Sequence, residues 1–371
     1  MRKGLSVLLA LLLFLGAIPV SAASELSVSS LSAVLYEPTS GKVLYAKDAD
    51  TKRPMASTTK LMTALLAAEL LSAEQMIAVS QTAVAVEGSS MGLRAGNRLT
   101  THDLLAGLLL ASGNDAANAL ALAIDSSIPI FAERMNAKAA DLGMTNTVFV
   151  TPSGLDEGEH GSTARDMALL GAAVLKQPLL AELCATKQAT VTVDGNKVAL
   201  RNHNRLLWLY EDAIGLKTGY TQKSGKCLVS AAERDGVTLV AVTLNGGDYW
   251  NDHIRLFEYG FSVTKSVQPT NPSLPTVPVC GGDKTAVSLT ALPPKMVLTA
   301  GEHLECEWEL PRFIWAPVNK GEPLGILRYK TAERVVSEVP IVASETVAER
   351  AAWSFEKRWR RQVKCLLAAL V

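Results

Sequence analysis

Apolar and polar positions divide this chain into stretches with different periods. Leu8 to Leu15 is almost wholly apolar, follows Arg2-Lys3 and precedes Val20-Ser21-Ala22. That order predicts a signal peptide over residues 1–22, cleaved after Ala22 or Ala23, because the run is shorter than the ~20 residues of a spanning helix. Ala33-Val34-Leu35-Tyr36-Glu37 and Lys42-Val43-Leu44-Tyr45-Ala46 flank a Pro38-Thr39-Ser40-Gly41 turn and predict a hairpin. Leu61, Met62, Ala64, Leu65 and Leu66 predict a largely buried helix, and Leu104 to Ala111 and Asp115 to Leu120 predict two more with a polar turn between them. Phe131, Met135, Ala139 and Leu142 recur at helical spacing before Gly143, a helix stop, and Ser162-Thr163-x-x-Asp166 ahead of Met167 to Leu170 is a helix start. Cys227 to Ala231 and Val237 to Leu244 read as antiparallel strands joined at Glu233-Arg234-Asp235-Gly236. The expected fold is α+β, an antiparallel sheet with a helical cluster on one side.

Beyond Phe261 the pattern changes. Pro269, Pro272, Pro275 and Pro278 mark a linker or extended entry, and short apolar runs from about Thr285 to Ser344 predict a small all-β domain. From Ala352 a helical projection puts Phe355, Trp359, Val363, Leu366, Leu367 and Leu370 on one face and Lys357, Arg358, Arg360, Arg361 and Lys364 on the other. Six basic residues against Glu349 and Glu356 give residues 347–371 a net charge of +4. A basic amphipathic helix of this kind suits the interface of an anionic bilayer, so its expected partner is the outer surface of the cytoplasmic membrane. The expected organisation is a signal peptide (1–22), a catalytic domain (23–264), a β domain (265–346) and a membrane-anchoring helix (347–371).

Composition narrows the function classes. The 371 residues are 48% hydrophobic and 19% charged, enough for two cores, and the net charge of zero gives no basic field for nucleic acid. Five scattered histidines, at 102, 160, 203, 253 and 303, show no metal-ligand spacing, so no metal or other cofactor is expected. In an exported chain Cys280 and Cys306 could pair within the β domain, while Cys184, Cys227 and Cys365 have no evident partners.

Three short motifs carry the chemistry. Ser57-Thr58-Thr59-Lys60 offers a hydroxyl nucleophile with an amine one helical turn away. Burial in an apolar helix favours a neutral lysine, as does a second cation nearby, for which Lys217 is the candidate. Ser112-Gly113-Asn114 follows in the polar turn, and Lys217-Thr218-Gly219 lies just before the Cys227 strand. Thr218 could hydrogen-bond a ligand carboxylate, Gly219 leaves room for a ligand backbone, and a strand edge suits an extended peptide.

The ordered motifs resemble the penicillin-binding protein and serine β-lactamase superfamily, and within it the low-molecular-weight D-alanyl-D-alanine carboxypeptidases. Met135-Asn136-Ala137-Lys138-Ala139, Leu142 to Thr147, Ser153-Gly154-Leu155-Asp156, His160, Ser162 to Met167, and Thr218-Gly219-Tyr220-Thr221 with Ser224 to Leu228 extend the likeness from about Ser29 to the C-terminus. The resemblance implies a transpeptidase-like catalytic domain, Ser57 as nucleophile, Lys60 as its base, Ser112 as a proton relay, and Asn114 as a donor to a substrate amide. It further implies Lys217, Thr218 and Gly219 as substrate contacts and an oxyanion hole made by the backbone N–H groups of Ser57 and Tyr220. The implied ligands are peptidoglycan stem peptides ending in D-Ala-D-Ala, and β-lactam antibiotics. One departure stands out: the arginine that well-known members place near the terminal carboxylate has no obvious counterpart in Asn245 to His253, for which His253 and Arg255 are weak substitutes. A class A β-lactamase would end near the last strand of the sheet, and a scaffold would have lost Ser57, Lys60 or Lys217; a DD-endopeptidase outcome stays open.

Overall fold

The computed structural model describes residues 26–270, 272–350 and 355–368; the expected signal peptide lies outside them. Strands β1 (Ser32–Glu37) and β2 (Lys42–Lys47) form the expected hairpin and enter a helical region. That region holds α1 (Lys60–Leu70), a ribbon of β3 (Met76–Ala78) and β4 (Arg98–Thr100) enclosing α2 (Gln81–Val84), then α3 (Thr101–Leu109), α4 (Asn114–Ile124), α5 (Ile128–Asp141), α6 (Ala164–Leu175) and α7 (Pro178–Ala185). A second ribbon, β5 (Gln188–Val193) with β6 (Asn196–Arg201), and the one-turn α8 (Leu206–Leu209) lead into β7 (Ala213–Thr221), β8 (Gly225–Arg234) and β9 (Val237–Gly246).

The central sheet is antiparallel with order β2-β1-β9-β8-β7, so the first strands close beside the last and β7 is an edge. Register follows the apolar pattern: Val34 pairs with Val242 and Thr218 with Leu228. Successive strand residues point to opposite faces. Val34, Val240 and Val242 therefore join α1, α3, α4 and α6 in one core, while Ala33, Leu35, Leu239 and Ala241 pack with Leu256 and Phe257 of α9 (Tyr249–Val263) in another. The expected helical cluster covers one face. The unbroken apolar run of β9 needs cover on both faces, and α9 supplies the second.

Helix starts behave as their sequences dictate. The Thr163 hydroxyl accepts from Asp166 N at 3.0 Å and so caps α6. Gly143, with φ +76°, follows α5.

After α9, β10 (Thr264–Val267) hands the chain to the all-β domain. That domain contains β11 (Val277–Cys280), β12 (Ala286–Val287), β13 (Leu289–Thr290), β14 (Met296–Thr299), β15 (Glu305–Glu309), β16 (Ile314–Trp315), β17 (Pro323–Lys330) and β18 (Val335–Ala343). Its sheets run β12-β11-β16 and β13-β18-β17-β15, and β10 pairs with β14. Lys42 Nζ, from the catalytic sheet, reaches Glu302 Oε1 at 2.8 Å and ties the two parts together. Of the two cysteines that could pair here, Cys280 is buried on β11, Cys306 is exposed on edge strand β15, and both are free thiols. Helix α10 (Phe355–Ala368) packs on β11 with Trp359 and Leu367 59% and 58% exposed. Among the described residues no single helix is long and apolar enough to cross a membrane.

Candidate active site

Edge strand β7 lies against the start of α1, and the three motifs meet there. Ala56–Thr59 form a single 3-10 turn ahead of α1 rather than part of it. Side chains three apart eclipse in such a turn, which stacks Lys60 directly on Ser57: Lys60 Nζ lies 2.8 Å from Ser57 Oγ. The turn is tightly held. Ala56 takes the left-handed φ of +48°, and Thr58 Oγ1 donates to Met55 O at 2.6 Å. Two glycines press on it. A Cβ at Gly219 would sit 3.0 Å from Ser57 N, and one at Gly154, itself at φ +87°, only 1.9 Å from Ala56 O.

Lys60 is fully buried. Besides Ser57 it contacts Asn114 Oδ1 at 2.7 Å and the carbonyl of Ser153 at 2.6 Å. The Asn114 orientation is fixed by its other end, since Nδ2 donates to Glu87 O at 2.6 Å and a flipped amide would face oxygen with oxygen. Both carbonyl oxygens can only accept. A neutral amine therefore spends its two N–H bonds on them and turns its lone pair to the Ser57 hydroxyl. Burial holds the Lys60 pKa well below the ordinary lysine value, the charge of Lys217 lowers it further, and Asp115 opposes this.

Lys217 on β7 is also buried; its Nζ donates to Thr218 O at 3.0 Å, and burial pushes its pKa down to about 8. Thr218 is half-buried and Tyr220 is 66% exposed. Ser112 is buried at φ +61° in the turn between α3 and α4, but Lys60 is held by Ser57, Asn114 and Ser153, not by the Ser112 hydroxyl. Asn114 is already committed to Lys60 and Glu87, which leaves one N–H of Nδ2 for a ligand.

Three supporting groups have no role in the motif reading. Ser153 contributes only a backbone carbonyl. It is placed by Gly154 and by Thr63, whose Oγ1 donates to Pro152 O at 2.7 Å. His160 Nδ1 accepts from Val150 N at 3.0 Å, so its Nε2–H donates to Thr59 Oγ1 at 2.9 Å, and burial lowers its pKa to about 4. His160 thus staples the Ser153 segment to the Ser57 turn. Asp115, first in line after Asn114, accepts from Ser90 Oγ at 2.5 Å, Met91 N at 3.1 Å and Leu93 N at 2.9 Å, folding residues 87–93 over Asn114. Ser153, Gly154 and His160 stand in segments that carry the family likeness, so a signal existed for them; for Asp115 there was none.

A family model described as D-alanyl-D-alanine carboxypeptidase matches residues 19–248, and one for the penicillin-binding protein 5 C-terminal domain matches residues 263–349. The D-alanyl-D-alanine carboxypeptidase DacF of Bacillus subtilis (strain 168) is 33% identical over 350 residues, 90% of either chain. The chain belongs to the D-alanyl-D-alanine carboxypeptidase family. DacC of Escherichia coli (strain K12), named for the same activity, is 34% identical over 344 residues, 87% of this chain and 85% of that one. The solved penicillin-binding protein 5 of Haemophilus influenzae superposes with a TM-score of 0.69 at 27% identity, covering 87% of this chain and 98% of that one.

Within this carboxypeptidase framework the weak arginine substitutes are occupied elsewhere. His253 is fully buried and bonded to Ser230 and, at 2.8 Å, to Thr243 Oγ1; Arg255 binds Asp252 Oδ1 at 2.5 Å. One exposed cation beside the edge strand is Lys226, which pairs directly with Tyr220 across β7 and β8 and lies over the Tyr249 ring at 5.5 Å. Opposed residues share a face, and Thr218 lies two residues from Tyr220 on that face.

Proposed function

We propose that Ser57 attacks the D-Ala-D-Ala amide of peptidoglycan stem peptides and that the terminal D-alanine leaves from a Ser57 acyl-enzyme, which water then hydrolyses. The observation that carries this reading is the Lys60 amine, with two carbonyl oxygens for its N–H bonds and its third contact on Ser57 Oγ. Lys60 takes the hydroxyl proton as the C–O bond forms. The oxyanion that develops is held by Ser57 N–H and Tyr220 N–H, and the proton returns to the departing amine, with Ser112 at hand as relay. Stem peptide lies along the open edge of β7, where Lys217 supplies a positive charge and Thr218 a hydroxyl for the terminal carboxylate. A β-lactam enters by the same attack and stays as a longer-lived acyl group.

The same proposal covers placement. Residues 1–22 direct export, 23–264 act, 265–346 form a spacer or docking domain, and the helix of 347–371 rests on the outer face of the cytoplasmic membrane. Exposed Trp359 and Leu367 with the basic face of α10 support that attachment. The test is mass analysis of products from a pentapeptide muropeptide, with and without an added amine acceptor. Loss of one D-alanine to give the tetrapeptide is expected; an unchanged pentapeptide, or products arising only when the amine is present, would contradict carboxypeptidase action.

A further inference from the structure

We propose that Cys280 and Cys365 are a disulfide-forming pair that locks helix α10 onto strand β11 of the β domain. The two residues are 85 positions apart in the chain, and the fold brings them together. Helix α10 packs on β11, and the Cys365 thiol lies 4.0 Å from the carbonyl of Val279, the residue next to Cys280. The other three cysteines are placed elsewhere: Cys184 and Cys227 are buried in the catalytic domain, and Cys306 is exposed on edge strand β15.

The surroundings favour one order of events. Burial, together with the Cys365 thiol beside it, pushes Cys280 up to about 11, and Arg361 pulls the other way. Cys365 is only half-buried, so it meets an external disulfide donor first. Its thiolate attacks the donor, one donor sulfur leaves as a thiol, and a mixed disulfide forms on Cys365. The Cys280 thiolate then attacks Cys365 Sγ and expels the second donor thiol. Two protein thiols are oxidised to one S–S bond, the donor disulfide is reduced to two thiols, and the two thiol protons end on those donor thiols. An exported protein meets such donors.

The lock has a directional consequence. At 100° per residue Cys365 lies 120° around the helix from Trp359 and 160° from Leu367, which are both exposed. A bond at Cys365 therefore grips the helix from its inner side and leaves Trp359 and Leu367 facing outward, at a fixed distance from the catalytic domain. With both thiols reduced, only noncovalent packing on β11 holds this polar helix.

The full mature chain decides the matter. It is equilibrated with glutathione disulfide, denatured without reductant, alkylated with a polymer-tagged maleimide and mapped by peptide mass spectrometry, with penicillin labelling to show that each sample is folded. The expected result is a linked Cys280–Cys365 peptide two hydrogens lighter than its reduced parts. The link should persist in Cys306→Ser, vanish in Cys365→Ser with Cys280 then alkylated, and on formation slow hydrogen exchange of residues 355–368 by at least tenfold. A folded, oxidised sample in which Cys280 and Cys365 are both alkylated overturns the proposal, as does a link from either one to Cys306, or a link with no effect on exchange.

Discussion

Lys60 Nζ lies 2.8 Å from Ser57 Oγ, and the other two groups that touch it are carbonyl oxygens. A protonated Lys60 would use all three N–H bonds as donors and could accept nothing; a neutral one is ready to take the serine proton. Because burial and Lys217 lower its pKa, the neutral fraction rises as pH rises through a value below the ~10.4 of free lysine. Acylation by a fluorescent penicillin should climb with pH over that range, with an apparent pKa that belongs to the Lys60–Lys217 pair. Lys60→Ala should slow it by roughly 10²–10⁴. A rate flat from mildly acidic to strongly alkaline pH, with chemistry limiting, contradicts a titrating base.

The backbone around Ser57 is as specific as its side chains. Gly154→Ala would drive a Cβ to 1.9 Å from Ala56 O at φ +87°. Backbone cannot swing aside as a side chain can, so the variant should lose ~2 kcal/mol of stability and at least tenfold in acylation rate. Gly143→Ala, at φ +76° with nothing within 4 Å, meets only the conformational penalty of about 1 kcal/mol and should acylate normally. Equal effects in the two variants, read by thermal melts and penicillin labelling, would contradict this account of the turn.

The motifs were legible because their chemistry resides in side chains: Ser57, Lys60, Asn114 and Lys217 announce themselves by residue type and order. Ser153 does not. Its part is a carbonyl that any residue possesses, and only the fold aims it at Lys60. The sheet was legible from β1, β2, β8 and β9, but α9 was not, because its start is unmarked: Asp248, at its N-cap, makes no side-chain capping bond. The β domain could be read as β from its Pro-punctuated runs, whereas strand partners so far apart in sequence could not. Spacing alone left the neighbours of Cys280 open, because the packing of α10 on β11 joins segments far apart in sequence.

Two buried histidines make stability sensitive to acid. His160 and His253 are lowered to about 4 and about 3 by burial, against ~6.5 in the unfolded chain. Between those limits the unfolded state binds more protons, so stability falls as pH falls from 6.5 towards 4. The melting temperature should drop across that window, before most carboxylates titrate, and drop less steeply in His160→Asn. A melting temperature constant from pH 7 to 4.5 contradicts neutral burial.

Lys226 pairs with Tyr220 on the outer face of β8 and β7, the one that also carries Thr218. If it supplies the positive charge for the substrate carboxylate, Lys226→Ala should raise KM about fivefold, the equivalent of ~1 kcal/mol for an exposed charge contact, and leave kcat almost unchanged. An equal fall in kcat with KM constant would place Lys226 elsewhere in the reaction.

The acyl-enzyme itself is the most direct test. The intact protein is mixed with benzylpenicillin, weighed by mass spectrometry, digested, and the modified peptide sequenced. The account predicts a gain of one penicilloyl group, carried by the peptide containing Ser57 and absent from Ser57→Ala; a full adduct in Ser57→Ala, or one mapped to any other residue, contradicts it.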